Sequence, residues 1–175
     1  VIVPRALGPD AVGQLGFAIA VWAIASIAIT FGSSPLITRE VAQDPAAGSR
    51  VASNVLSMKG LVWLVVSLLV VGYTAIGDVE GTVVTLLLIL AVHTLLDQAN
   101  DTFRSSIIGR ERLGLTSTVS VVDRAIVAIA TITVVLLDQG VEAVAVAGMA
   151  GLVVTMPVLA ASALRDPEIS IRPTL

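Results

Sequence analysis

The chain has 175 residues, of which 56% are hydrophobic and 13% are charged, and its mean hydropathy is +0.99, whereas a typical soluble domain has about 45–50% apolar and about 25% charged residues. The formal net charge of −3 offers no basic stripe, which excludes the usual electrostatic basis for binding nucleic acid. The chain has no cysteine and one histidine, His93, so disulfides and thiolate sites are excluded, and we expect neither a metal site nor a cofactor.

Five long apolar runs follow one another along the chain and predict membrane-spanning helices. A bilayer core of roughly 30 Å needs about 20 helical residues. The predicted helices cover about 12–32, 55–77, 81–104, 115–137 and 141–164. Small residues recur inside these runs, and such residues allow transmembrane helices to approach closely. The sequence therefore predicts an all-α, polytopic transmembrane helix bundle with about five spanning helices.

The segment of about 33–54, between the first two predicted helices, is too polar to cross a bilayer. Its residues Leu36, Ile37, Val41 and Val51 give it an apolar face, which is typical of a helix that lies in the membrane interface. We therefore expect this segment to lie on the cytoplasmic surface.

The connections between the predicted helices are of two alternating kinds. Two are short, lack Lys and Arg, and are flanked by or contain Asp78, Glu80, Asp138 and Glu142. The other segments are basic, and their cations are Arg39, Arg50, Lys59, Arg104, Arg110, Arg112, Arg165 and Arg172. Cytoplasmic segments carry an excess of Lys and Arg. We therefore expect the basic segments in the cytoplasm and the protein in the cytoplasmic membrane as a multi-pass protein.

Arg5 is the exception to this charge pattern. If Arg5 lies outside, the first predicted helix enters the membrane from the outside, and an upstream helix is needed to start the protein in the cytoplasm. The chain also begins at Val1 without a methionine. We therefore expect a partial N-terminal transmembrane lobe, residues 1–175, that lacks its first helix.

The most informative polar residues are His93, Asp97, Asp101 and Arg104, at spacings of four, four and three. On a helix these spacings place the side chains on one face. Ionisable groups at membrane depth cost several kcal/mol unless they meet a partner or a wet cavity, so they mark functional sites. Asp97 is predicted either to line a cavity or to pair with Arg124. We interpret Asp101 and Arg104 as an ion pair at the membrane boundary and His93 as a helix-packing residue.

A second polar stripe runs along the fourth predicted helix and consists of Ser117, Ser120, Arg124 and Thr131. A stripe of this length favours a wet interior face. The planar guanidinium of arginine binds phosphate and carboxylate groups through two parallel hydrogen bonds. Arg124 is therefore a candidate for holding a diphosphate head group, and the alternative is a salt bridge to Asp97 or Asp123.

Three short motifs together resemble the polysaccharide flippase family. Leu7-Gly8-Pro9 and Gly13 mark the first helix, Ile37-Thr38-Arg39-Glu40-Val41-Ala42 follows it, and Phe103-Arg104 with Gly109 and Arg112 follows the third helix. Their order and placement match the arrangement in that family, which exports O-antigen and related lipid-linked sugars. The family belongs to the same superfamily as the multidrug and toxin extrusion transporters.

The resemblance implies two bundles of six or more helices around a cavity that opens alternately to each side of the membrane. The chain resembles the first bundle, the N-terminal lobe, without its first helix. The implied substrate is an oligosaccharide on a polyprenyl diphosphate, and the implied partners are membrane lipids and glycan-assembly proteins. Arg39, Asp97 and Arg124 become candidates for lining the substrate cavity. The specificity residues of the family vary too much to predict which glycan is carried.

Two other functions stay open. One is a cation-coupled multidrug antiporter of the same superfamily, in which His93, Asp97 and Asp101 are the candidates for ion coupling. The other is a non-transporting scaffold or permease subunit that depends on a partner ATPase, because the chain has no GxxxxGK[ST] phosphate loop. The sequence also lacks the zinc, kinase and serine-hydrolase patterns, so we do not expect an enzyme.

Overall fold

A computed structural model of the chain describes residues 8–77 and 79–164, and within these ranges all regular secondary structure is helical. The helices are α1 Pro9–Thr30, α2 Ser33–Gln43, α3 Pro45–Ile76, α4 Gly81–Ile108, α5 Leu113–Leu136, α6 Gly140–Ala147 and α7 Ala150–Leu164. Five segments are long and apolar enough to cross a membrane, and these are Pro9–Gln43, Pro45–Ile76, Gly81–Ile108, Leu113–Leu136 and Gly140–Ala163. The prediction of an all-α bundle with five spanning helices is confirmed.

Some residues used in the sequence analysis lie outside the described ranges. These are Arg5, Leu7, Asp78, Arg165 and Arg172, together with the first residues of the chain. Within the described ranges, the predicted orientation therefore rests on the remaining cations and carboxylates.

Helices α1 and α2 are separated by a local change of backbone conformation. Phe31 and Gly32 both have left-handed backbone angles, which end α1 before α2 begins. Asp44 caps α3, because its side chain accepts hydrogen bonds from the backbone N–H groups of Ala46 and Ala47 at 2.9 and 3.2 Å. Pro45 follows at the first helical position. As a result α3 begins ten residues before the predicted start at 55.

The other predicted helix bounds differ from those of the structure by four residues or fewer. The third spanning helix, α4, continues to Ile108, which is four residues past the predicted end at 104. The fifth spanning segment is interrupted at Gly148 and Met149, so it consists of α6 and α7.

Helix α4 is the centre of the bundle and contacts all six other described helices. One apolar cluster joins the first half of α4 to α1 and α6 and includes Trp22, Leu86, Leu87 and Ala145. A second cluster joins its last turns to α2, α3 and α7 and includes Ile37, Val41, Phe103, Ile107 and Leu159. Between the two clusters lie buried polar residues of α4, namely Thr94, Gln98 and Thr102. The apolar core is therefore divided by a polar layer.

Helices α3 and α5 form much of the outer surface of the bundle. Leu61, Leu68 and Leu69 of α3 are 63%, 63% and 69% exposed, and Val121 and Ile129 of α5 are 70% and 66% exposed. Large exposed leucine, isoleucine and valine side chains are stable where they face lipid rather than water. This surface agrees with a bundle that is embedded in a bilayer.

The amphipathic helix α2 packs tightly between the start of α3 and the end of α4. Its side chains Ile37 and Val41 are 0% and 2% exposed. A Cβ atom added at Gly48 would lie 2.4 Å from the Val41 Cα, and one added at Gly109 would lie 2.7 Å from the Thr38 carbonyl oxygen. Only glycine permits this approach at the two positions.

We expect Gly48→Ala to destabilise the protein, although alanine is the better helix former. Overpacking a tight contact costs about 1–3 kcal/mol, which corresponds to a fall of about 2–12 °C in the unfolding midpoint of a chain of this size. Gly72→Ala in the same helix is the matched control, because a Cβ there meets nothing within 4 Å. Thermal unfolding of the purified protein in detergent compares the two. Equal midpoints would contradict the close packing of α2.

Candidate functional site

The polar face of α4 borders open cavities of the bundle, and two of its residues, Asp97 and Arg104, are exposed. Asp97 is about 24 Å along the helix axis from Gly81 and about 16 Å from Ile108 at 1.5 Å per residue. His93, Asp97, Asp101 and Arg104 each line at least one of four neighbouring cavities. The structure thus places the predicted one-sided constellation along a series of cavities.

The first cavity is mainly apolar and has a volume of about 390 Å³. It lies between α1, α4 and α6, and its apolar lining includes Leu15, Ile19, Trp22, Leu90 and Val144. Ser26, His93, Thr94 and Asp97 add polar groups to the lining. An apolar space therefore meets the polar face of α4 at Asp97.

The second cavity, of about 290 Å³, shares Asp97 and Ser26 with the first and is mainly polar. Its other lining residues are Thr30, Gln98, Asn100, Asp101 and Arg104. The Thr30 hydroxyl donates a hydrogen bond to the side-chain oxygen of Gln98 at 3.1 Å, which links α1 to α4. Polar groups from two helices are therefore held together at this level of the bundle.

The third cavity, of about 570 Å³, lies between α2 and α4 and shares Asp101 and Arg104 with the second. Arg39 of α2 also lines it. The Thr38 hydroxyl donates to the backbone oxygen of Ser34 in its own helix at 3.0 Å and to that of Ser105 at 3.2 Å, and the second hydrogen bond joins α2 to α4. The predicted cavity cation Arg39 is therefore near the polar face of α4.

The fourth cavity, of about 210 Å³, lies between α4, α5 and α7. Asp97, Arg104, Asp123 and Arg124 all line it. Asp123 accepts a hydrogen bond from the hydroxyl of Thr155 at 3.4 Å. In this cavity the two predicted polar stripes, one from α4 and one from α5, meet.

The predicted alternative of an Asp97–Arg124 salt bridge is wrong. The two side chains line one cavity, but the structure contains no ion pair between them. Helix α5 packs chiefly against α7 and only lightly against α4, which leaves a space between the carboxylate and the guanidinium. The Asp123–Arg124 pair is also absent. The Asp97 carboxylate and the Arg124 guanidinium are therefore both free to interact with a ligand in this cavity.

Asp101 does form an ion pair, but with Lys59 of α3 instead of Arg104. The Lys59 Nζ atom lies 2.9 Å from Asp101 Oδ2 and 3.3 Å from the Thr102 hydroxyl oxygen. The Lys59 side chain is 3% exposed, and a buried ammonium requires a counterion. The Ser34 hydroxyl donates to the same Asp101 oxygen at 2.5 Å. The predicted Asp101–Arg104 ion pair is therefore wrong.

Lys59 is a site residue that the sequence analysis missed, because it was counted with the cytoplasmic boundary cations. A signal was present: Lys59 follows Ala52 by seven residues, which is about two helical turns, so both lie on one face of α3. Ala52 is fully buried, so this face points into the bundle.

Three exposed arginines that line the neighbouring cavities have unpaired guanidinium groups. Arg39, Arg104 and Arg124 form neither an ion pair nor a hydrogen bond through their side chains with any described residue. Guanidinium groups bind phosphate through parallel charge-assisted hydrogen bonds. Within the described ranges, no three His, Asp or Glu side chains come together to hold a metal ion. The three guanidinium groups are therefore candidates for binding an anionic group, and the carboxylates of Asp97 and Asp123 line the same cavity as two of them.

Comparison with known protein families identifies the family of the chain. The model of a family described as "Polysaccharide biosynthesis protein" matches residues 1–165. The chain belongs to this family. The match includes all three motifs that resemble the flippases, so the resemblance inferred from them is confirmed. With its five spanning segments, this family member is a multi-pass membrane protein of polysaccharide biosynthesis.

Two further comparisons add no relative. Neither the search of curated proteins nor the search of solved structures found a match to this chain. The assignment to the polysaccharide biosynthesis family therefore depends on the family match together with the membrane-spanning fold.

Proposed function

We propose that the chain forms part of a transporter, not an enzyme, that moves a polyprenyl-diphosphate-linked oligosaccharide across the cytoplasmic membrane by alternating access. The observation that supports this proposal is the set of three unpaired arginines, Arg39, Arg104 and Arg124, which are exposed and line neighbouring cavities beside α4. A diphosphate head group would neutralise these cations as it enters the membrane interior.

The surroundings of the arginines also suit a sugar. Asn100 and Ser120 line the cavity with Arg104 and Arg124, and Gln98 and Thr30 line the one beside it. Amide and hydroxyl groups both donate and accept hydrogen bonds, so they can replace the water around sugar hydroxyls. The exposed apolar surfaces of α3 and α5 suit the lipid that surrounds the polyprenyl tail.

The second candidate is a cation-coupled multidrug antiporter, and one observation favours it. Asp97 has no ion pair and lies where the apolar cavity of about 390 Å³ meets the polar cavities, with His93 one turn away. A carboxylate at the edge of an apolar cavity is suited to binding a proton, a metal cation or an organic cation. The same residue would serve ion coupling in the flippase.

The two candidates are separated by deleting the gene and restoring it. We expect the deletion strain to lose surface polysaccharide and to accumulate lipid-linked oligosaccharide, and the full-length protein to reverse both changes. Unchanged surface polysaccharide with lost efflux of cationic dyes would instead support the antiporter. Co-purification of an ATPase that is required for export would support the scaffold or permease subunit.

The proposed orientation makes a separate prediction about two exposed glutamines. Gln43 at the end of α2 should face the cytoplasm, and Gln139 between α5 and α6 should face the outside. Because the chain has no native cysteine, Gln43→Cys and Gln139→Cys each introduce one reactive site. A membrane-impermeant maleimide added to intact cells should label only the Gln139→Cys protein. Labelling of the Gln43→Cys protein alone would show that the orientation is opposite to the proposed one.

A further inference from the structure

The ion pair between Lys59 and Asp101 has an asymmetric position. Lys59 is 3% exposed, whereas the Asp101 side chain is 36% exposed and lines two of the cavities. Lys59 lines none of the four cavities, so it contacts the carboxylate on its buried side. The other side of the carboxylate faces the cavities. The Ser34 hydroxyl holds the same carboxylate oxygen from the α2 side.

Arg104 follows Asp101 by three residues on α4. Residues three apart on a helix are neighbours on its surface and commonly form ion pairs. Asp101 and Arg104 line the same two cavities, yet Arg104 forms no ion pair. Arg39 lines the larger of these cavities with them. Asp101 is thus paired with Lys59, and Arg104 has no ion pair among the described residues.

We propose that Lys59 is a positioning residue that keeps Arg104 available to an anionic ligand by holding the Asp101 carboxylate. Without Lys59, the negative charge of Asp101 is uncompensated on its buried side, and Arg104 becomes its partner. The cavity would then lose one unpaired cation, and Lys59 would thereby set the affinity for the diphosphate. The identity of this ligand rests on the proposed function, whereas the state of Arg104 does not.

The first test reads the state of Arg104 without any substrate. The arginine reagent phenylglyoxal is added to the purified full-length protein, and modification is measured residue by residue by mass spectrometry. We expect Lys59→Met to reduce the modification of Arg104 at least five-fold, because a paired guanidinium reacts poorly. Lys59→Met with Asp101→Asn should restore it. Arg50, which is exposed and lines none of the four cavities, is the internal control.

The double variant also controls for loss of folding. Removing one partner of a buried pair leaves an isolated charge and is destabilising, whereas removing both charges is close to neutral. If Lys59→Met does not fold, Lys59→Arg, which keeps the positive charge, should retain the wild-type modification of Arg104. Unchanged Arg104 modification in folded Lys59→Met would overturn the proposal. A double variant with Arg104 still protected would overturn it as well.

Binding of a polyprenyl diphosphate to the same variants is the second readout. We expect Lys59→Met to bind it at least ten-fold more weakly than wild type and the double variant to recover to within about three-fold. If the wild-type protein does not bind the diphosphate, the proposed function fails, while the modification of Arg104 still decides the role of Lys59.

Discussion

Replacing Arg124 by alanine in the full-length protein is expected to reduce its affinity for a polyprenyl diphosphate by roughly 10- to 100-fold, because a hydrogen bond to a charged group contributes about 1.5–3 kcal/mol. Arg124 lines the cavity between α4, α5 and α7 and has no other charged partner among the described residues. Arg124→Lys keeps the charge but loses the planar fork, so we expect an intermediate affinity. Direct binding and the amount of surface polysaccharide measure the effect.

The matched control for Arg124→Ala is Arg50→Ala. Arg50 is exposed in the first turns of α3 and lines none of the four cavities. Its removal should leave diphosphate binding and surface polysaccharide close to wild type at equal protein level. If the two substitutions weaken binding equally, the effect of Arg124 is one of overall charge, and the cavity has no special role.

The largest expected effect on stability is that of Trp22→Ala. The Trp22 side chain is 3% exposed in the apolar cluster between α1, α4 and α6, and its indole N–H donates to the Leu87 carbonyl oxygen at 2.9 Å. Removing a buried tryptophan side chain costs about 3–5 kcal/mol. Trp22→Phe retains most of the apolar volume and loses the hydrogen bond, which costs about 1 kcal/mol. Thermal or denaturant unfolding in detergent measures both.

Trp63 provides the comparison within the same bundle. Its indole N–H donates to the Ala91 carbonyl oxygen at 2.8 Å, but its side chain is only partly buried on the outer helix α3. Trp63→Ala should therefore destabilise the protein less than Trp22→Ala does. If Trp63→Ala is the more destabilising substitution, α1 does not pack on α4 in the way the structure shows.

The sequence predicted those features that depend on local pattern. Long apolar runs identify spanning helices because each helix satisfies its own backbone hydrogen bonds inside the bilayer. The spacing of His93, Asp97 and Asp101 identifies one helix face because helical geometry alone fixes it. The face and the cavities beside it were therefore predictable from the residues of α4.

The features that were missed depend on contacts between helices. The start of α3 at Pro45 was missed because its first turns are polar and pack against α2, although Asp44 and Pro45 together are a recognisable helix start. The partner of Asp101 was assigned wrongly because Lys59 approaches from another helix. The distance between Asp97 and Arg124 depends on how α5 packs against α7, and no local sequence pattern determines this packing.

The most direct test of the account is photo-cross-linking of the substrate at two neighbouring positions of α5. Ser120 lines the cavity with Arg124, whereas Val121 is 70% exposed on the outer surface. A photoreactive amino acid is introduced at each position in the full-length protein, in cells whose glycans carry a radioactive sugar. We predict a sugar-labelled adduct at position 120 that is at least several-fold stronger than at position 121. Equal labelling, or labelling at 121 alone, would contradict the proposal that this cavity holds the lipid-linked oligosaccharide.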